Sequence, residues 1–214
     1  MPDTLWCAPG IHLTIIDQDV VVLDLGADRY HCLLDGAGLL KPEPDGRIAV
    51  ADDETAEALI ASALADQQPL IEARRDVIPA ARELLLAANP SAGDVLQAAT
   101  MWAVAAFVFR GRSLAALTDY HAAVRDRAQS LDEARLAEVV GAARTARSWV
   151  PFEGECLKRS FQLRCVLAAQ GIACDWVFGV RTWPFAAHCW LQIGDLVVGD
   201  RLDRVRRYTP IMSV

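Results

Sequence analysis

At 214 residues the chain is long for one compact domain and comfortable for a small domain followed by a medium one. With 53% hydrophobic and 23% charged residues it has the apolar content to fold around real cores, which excludes a disordered chain. The formal net charge of −7 argues against a nucleic-acid binder, which needs a basic footprint, and fits a partner that carries positive charge. Six cysteines (Cys7, Cys32, Cys156, Cys165, Cys174 and Cys189) show no C-x-x-C spacing and read as reduced thiols. No basic segment followed by an apolar run opens the chain, and the apolar run Ala98 to Phe109 is short against the roughly 20 residues that cross a bilayer. A cytoplasmic protein is expected. Membrane association is not predicted, although that run could serve as a membrane-facing or partner-facing surface.

From His12 to Leu33, three β-branched stretches are separated by polar breaks at Asp17–Asp19 and Gly26–Asp28, which predicts a three-stranded meander. So small a sheet needs a helical layer over one face. Asp52-Asp53-Glu54 opens a helix in which Ala56, Leu59, Ile60 and Ala63 recur at helical spacing, and Pro69 ends the segment. His12 and His31 read as structural histidines on strands. From about Ala73 the composition shifts to Ala, Leu and Arg. Ser91 or Asp94 is placed to cap a helix through Phe109, and Asp132-Glu133 sits inside or at the head of another that reaches about Arg147. The first of these is apolar nearly all round and reads as a helix buried between two layers. Pro151 then breaks the chain before a helix that starts near Gly154.

The chemistry concentrates between Gly154 and Asp200. In the helix after Gly154, Lys158, Arg159, Gln162, Ala169 and Gln170 form one narrow stripe; the rest, apart from Arg164, is apolar or small, and Gly171 is placed to end the helix. Cys156 lies in the first turn, where unpaired N–H groups and the helix dipole favour a thiolate over the free thiol's pKa near 8.5. His188 precedes a strand ended by Gly194-Asp195, and the return strand reaches Asp200. A carboxylate beside an imidazole fixes its tautomer and orientation. Parity is the obstacle. A plain two-residue turn at Gly194-Asp195 would pair Asp200 with Cys189 and aim it away from His188. A triad therefore requires a three-residue connection or an irregularity, for which Gly199 is the natural place. Asp195 and Asp203 are the alternative carboxylates. A zinc site from Cys156, Cys165, His188 and Cys189 is conceivable by ligand type but matches no structural zinc spacing.

These residues resemble a family. A cysteine at a helix start, a histidine in a strand and an aspartate in the next is the order of the transglutaminase-like (papain-like) cysteine peptidases. Within them the chain is similar to the lasso-peptide leader peptidases, the maturation proteins called B proteins. The resemblance is carried by E-C-L-K-R-S around Cys156, Gly171-Ile172, F-G-V-R-T-W-P-F from Phe178 to Phe185, A-H-C-W at His188, and V-V-G-D ending at Asp200.

The resemblance implies an α+β chain in two domains. Residues 1–75 would be a small winged-helix-like recognition domain, a three-stranded sheet plus helices, and residues 76–214 a transglutaminase-like/papain-like cysteine peptidase domain. It implies leader-peptide hydrolysis by Cys156, His188 and Asp200. The leader would add as a strand beside Arg29, Tyr30, His31, Cys32 and Leu33. The implied partners are the precursor peptide and a separate ATP-dependent macrolactam cyclase. Lacking a G-x-x-x-x-G-K-[ST] loop, the chain is assigned no nucleotide site, and no cofactor or metal is expected. Acyl transfer to an amine, of transglutaminase or acetyltransferase type, and a non-catalytic scaffold that binds the precursor are the other functions the sequence allows.

Overall fold

The computed structural model describes residues 5–69, 77–86, 90–120, 132–149 and 155–214. Pro151 and Gly154, the expected break and helix start, lie outside them. Two compact units emerge: residues 1–77 with 180–186 and 209–213, and residues 78–179 with 187–208 and 214.

In the first unit the meander consists of β2 (Ile11–Ile16), β3 (Asp19–Asp24) and β4 (Arg29–Leu33), in the order β2-β3-β4. Ile16 pairs with Asp19 across a two-residue turn at Asp17-Gln18, and Asp17 takes φ +56 there, a conformation that short Asp side chains tolerate. Val20 to Leu23 are all fully buried, so the central strand is covered on both faces. The expected helical layer is different. Only one α-helix, α1 (Asp53–Ala61), occurs among the described residues of this unit, and Asp52 caps it by accepting the Thr55 N–H at 2.7 Å. A second sheet shares the core, in the order β5-β6-β1-β7: β5 (Leu40–Pro42), β6 (Arg47–Val50), β1 (Leu5–Cys7) and β7 (Ala65–Asp66). Leu5, Cys7, Ile48 and Leu40 from these short strands join Leu13, Val20, Val22 and Leu59 in one apolar cluster. Strands of two to four residues are too short to show a period, which is why the sequence shows no strands there.

The second unit is built on three packed helices and a sheet. α2 (Ala92–Phe109) packs on α4 (Glu133–Arg147) and on α5 (Cys156–Ala169), with the short α3 (Leu114–Thr118) between α2 and α4 in sequence. Ser91 caps α2 by accepting the Asp94 N–H, and Asp132 caps α4 by accepting those of Ala134 and Arg135. Arg135 ties the two helix starts together through Asp94 at 2.9 Å. α2 is not buried all round: Trp102, Ala105 and Ala106 face the core, while Leu96, Val104 and Phe107 are exposed. With 18 residues it is, among the described residues, a helix long and apolar enough to cross a membrane by length and composition alone, which corrects the shorter span expected from the sequence.

α5 is the buried axis of this unit. Phe161 is fully buried and meets the rings of Phe109, Tyr120 and Trp176 at 5.7–5.8 Å. Full burial of such side chains stabilises by about 1.5–3 kcal/mol each. The expected polar stripe is only partly a solvated one. Gln162 is buried and donates to the Trp102 carbonyl at 3.1 Å, while the guanidinium of buried Arg164 lies over Trp176 and donates to the Thr118 carbonyl. Gly171 ends the helix as expected. At φ +73 it donates to the Ala168 carbonyl while Ile172 donates to that of Leu167, the paired bonds of a Schellman motif.

The strands of this unit are ordered β9-β10-β11-β8, with β9 (Asp175–Arg181), β10 (Ala186–Ile193), β11 (Leu196–Val198) and β8 (Arg82–Glu83). β8 lies parallel to β11, and a short α6 (Leu202–Val205) follows Asp200.

Candidate active site

Cys156 is the first residue of α5, directly after the N-cap Glu155. The first helical bond in this turn is Arg159 N–H to the Glu155 carbonyl, so the preceding N–H groups have no intrahelical acceptor. That places a half-buried sulfur at the positive end of a helix.

The hairpin of β10 and β11 decides the rest. Its turn is the plain two-residue one: Ile193 pairs with Leu196, Gln192 with Val197 and Leu191 with Val198. A three-residue connection, one of the two routes to a triad, does not occur. The ladder instead stops at Val198, and Gly199 takes φ +75. A side chain there would be strained by that φ and would run into Leu163 Cδ2 on α5. The bend turns Asp200 back toward His188, whose Nε2 lies 2.6 Å from Asp200 Oδ2.

The same break has a second effect. In a two-residue hairpin the N–H groups of residues 193, 191 and 189 on the first strand all point toward the second. With β11 ended, the Cys189 N–H has no partner on that strand, and it helps to lower the Cys156 pKa.

Two side chains lower the pKa of the Cys156 thiol. The Cys189 thiol and the His188 ring hold its pKa down to about 4, with the Cys189 N–H assisting, against burial that opposes ionisation. With Nε2 committed to Asp200, the His188 nitrogen left for the sulfur is Nδ1. Burial pulls the imidazole pKa down, but Asp200 and Cys156 outweigh it and carry His188 up to about 9. Asp200 is held below the usual carboxylate range: burial opposes its charge, but His188, the Arg201 N–H at 2.7 Å and Arg204 at 3.6 Å favour it. Between these limits the pair is a thiolate and an imidazolium. The His188 ring is packed by Tyr208 at 5.1 Å and Trp190 at 6.1 Å between centroids. Gly179 makes room for both, since a Cβ there would sit 2.8 Å from the Trp190 ring and 2.9 Å from Tyr208 Cβ.

The alternative carboxylates are engaged elsewhere: Asp195 with Arg82, and Asp203 with Arg201 and Arg207. Burial pushes Cys165 up to about 12, and among the described residues no group of three or more His, Cys, Asp or Glu side chains is arranged to hold a metal ion.

In the first unit, Arg29 to Leu33 form β4, the outer strand of its sheet, with Arg29, His31 and Cys32 exposed. Tyr30, His31 and Cys32 line an open cavity of about 130 Å³ with Thr182, Trp183 and Phe185. Tyr30 and Phe185 pack at 5.6 Å, and Trp183 Nε1–H donates to Asp19 at 2.9 Å. The structure pairs His188 with Asp200 and sets His188 where it lowers the Cys156 pKa; the sequence had named Cys189 only as a zinc candidate and had not pointed to Tyr208 or Arg204. Only Gly179 left a readable sign, as a glycine inside a strand pattern marks a close approach.

A cysteine at a helix start, faced by an imidazole that a carboxylate orients, is equipped for acyl chemistry through a thioester. A family model described as the transglutaminase-like superfamily matches residues 98–213, just over half of the chain, and the protein belongs to that superfamily. The chain is also 39% identical over 49 residues to the microcin J25-processing protein McjB of Escherichia coli. That match covers 23% of this chain and 24% of McjB, so the chain spans about a quarter of that relative's length. No solved structure matches.

Proposed function

We propose that this protein is a cytoplasmic cysteine peptidase that removes the leader from a ribosomally made lasso-peptide precursor. The observation that carries the reading is Cys156 at the head of α5, paired with His188 on β10, itself bonded to Asp200. The similarity to a microcin J25-processing protein supports the substrate class.

Cys156 thiolate adds to the carbonyl at the leader–core junction, at the N-terminal end of α5, whose positive dipole suits the developing oxyanion. The His188 imidazolium gives its proton to the departing core amine as the C–N bond breaks, leaving a leader thioester. Neutral His188 then takes a proton from water, whose oxygen releases the leader as a carboxylate. Asp200 keeps the ring oriented and favours its charged form. The freed amine is the group that a separate ATP-dependent cyclase would close into a macrolactam.

In this reading residues 1–75 recognise the leader and residues 76–214 cut it. β4 is an edge strand, whose outer N–H and C=O groups suit an added peptide strand, and the adjoining cavity beside Tyr30 and Phe185 suits an apolar side chain. Free cysteines throughout fit a reducing compartment.

The family also supports a second reading, in which an amine and not water resolves the thioester. Incubation with precursor peptide followed by mass spectrometry separates them. Hydrolysis leaves a leader with a free carboxylate, whereas an amine adduct without released leader refutes the peptidase. Cys156→Ala should abolish cleavage; a protein that still matures its precursor after that change is a scaffold.

A further inference from the structure

Gln192 is a polar side chain buried on β10, only 2% exposed, and the hydrolysis above does not use it. A buried amide is costly unless its groups are paired. Its Oε1 accepts the Trp190 Nε1–H at 3.0 Å, and its Nε2 donates to the Ile78 and Gly194 carbonyls, each at 2.6 Å. An indole N–H can only donate and a carbonyl can only accept, so these partners leave the amide a single orientation.

That orientation fixes the indole. Gln192 holds its N–H edge, while its Cζ3 and Cη2 edge lies against Gly179, where a Cβ would stand 2.8 and 2.9 Å from those atoms. The indole held in this way stacks on the His188 ring, with centroids 6.1 Å apart and planes inclined by 24°. The Tyr208 ring meets the same imidazole at 5.1 Å. Aromatic faces carry partial negative charge, and a cation within about 6 Å of a ring centroid is attracted to it, more strongly where water is excluded. His188 is buried, so that condition is met. Aliphatic packing would cover the imidazole equally well but offer its charged form no such attraction.

We propose that Gln192 is a positioning residue for His188: its amide locks the Trp190 indole in place, and the indole face, with that of Tyr208, stabilises the imidazolium that protonates the leaving amine. The inference rests on His188 being the acid of the proposed hydrolysis. Among the described residues the titratable and charged groups around His188 are Cys156 on α5, the Tyr208 phenol, and Asp200 at its Nε2 with Arg204 of α6 behind it at 3.6 Å. Asp200 and Cys156 act on the imidazole by charge, and the rings act by their faces.

The test reads the His188 titration directly, by NMR of the full chain carrying 13C-labelled histidine. The chain has four histidines, and His188→Gln identifies the resonance. The wild-type midpoint should lie near pH 9. Uniform incorporation of fluorinated tryptophan withdraws charge from the indole face and leaves its shape nearly unchanged. Each added fluorine should lower the midpoint by about 0.3 pH units. Trp190→Leu should lower it by about one unit. Gln192→Leu frees the indole and should lower it by about half a unit. In the Trp190→Phe background, which has no N–H for the amide to hold, Gln192→Leu should shift nothing further.

A midpoint that ignores fluorination overturns the inference, and that arm needs no substitution, so it decides even where Gln192→Leu does not fold. A Gln192→Leu shift of equal size in both backgrounds also overturns it, because the amide would then act through Ile78 and Gly194 and not through the indole. Both results leave His188 as the acid. A wild-type midpoint near 6.5 overturns the charged-pair reading of the site, and the inference with it.

Discussion

Replacing Asp200 by Asn tests the electrostatics of the site most directly. In the wild-type protein the thiolate forms above about pH 4 and the imidazolium persists to about pH 9, so the reactive pair spans that window. Asp200 acts on the upper limit. It holds His188 Nε2 at 2.6 Å, and the two side chains are only 8% and 14% exposed, so water screens the pair weakly. A raised histidine pKa means the charged form is favoured below the upper limit and lost as pH climbs through it. An amide at position 200 keeps the size and one acceptor but removes the negative charge. A hydrogen bond between charged groups is worth about 1.5–3 kcal/mol, and one pH unit corresponds to about 1.4 kcal/mol. The upper limb should therefore fall by about one to two units, to between roughly pH 7 and 8. The lower limb should move much less, because the contacts that hold the thiolate come from Cys189 and His188. The assay is the pH profile of kcat/KM for precursor cleavage, with Cys156 alkylation as a substrate-free control. At pH 8.5 the variant should lose about tenfold more activity than it loses at pH 6. An upper limb still near pH 9 in a folded Asp200→Asn protein would refute the role of Asp200.

Two further substitutions probe how the site is held. Gly199→Ala combines a strained φ of +75 with a clash at Leu163, so about 1–3 kcal/mol of stability should be lost together with activity. Adding Leu163→Ala should relieve the clash but not the backbone strain; thermal melts and kcat/KM of single and double variants check this. Gly179→Ala drives a methyl into the Trp190 ring and Tyr208, which pack His188, so kcat should fall more than KM changes. The accompanying loss of about 1–3 kcal/mol is readable as a lower melting temperature.

Much of the architecture was written locally. The meander over His12 to Leu33 follows from β-branched runs and polar breaks, and it falls within a residue of β2, β3 and β4. Asp52 announces a helix start because a short side-chain oxygen is what an N-cap needs, while the choice of Ser91 over Asp94 and of Asp132 as a cap came from the structure. Gly171 closes α5 for an equally local reason. Where elements are short or their partners distant, the sequence was silent. β1 and β5 to β8 have too few residues to show a period, and Gln162 and Arg164 look like surface residues until the Trp102 and Thr118 carbonyls are placed beside them.

The sequence by itself determined that Cys156 begins a helix and that His188 and Asp200 lie on a strand and beyond its return partner. It also determined that their convergence depends on one irregularity. Tertiary structure decided where that irregularity falls, at Gly199 and not in the turn, because only there does the ladder end against Leu163 of α5. It alone set His188 against Tyr208 and Trp190, partners that no local spacing announces.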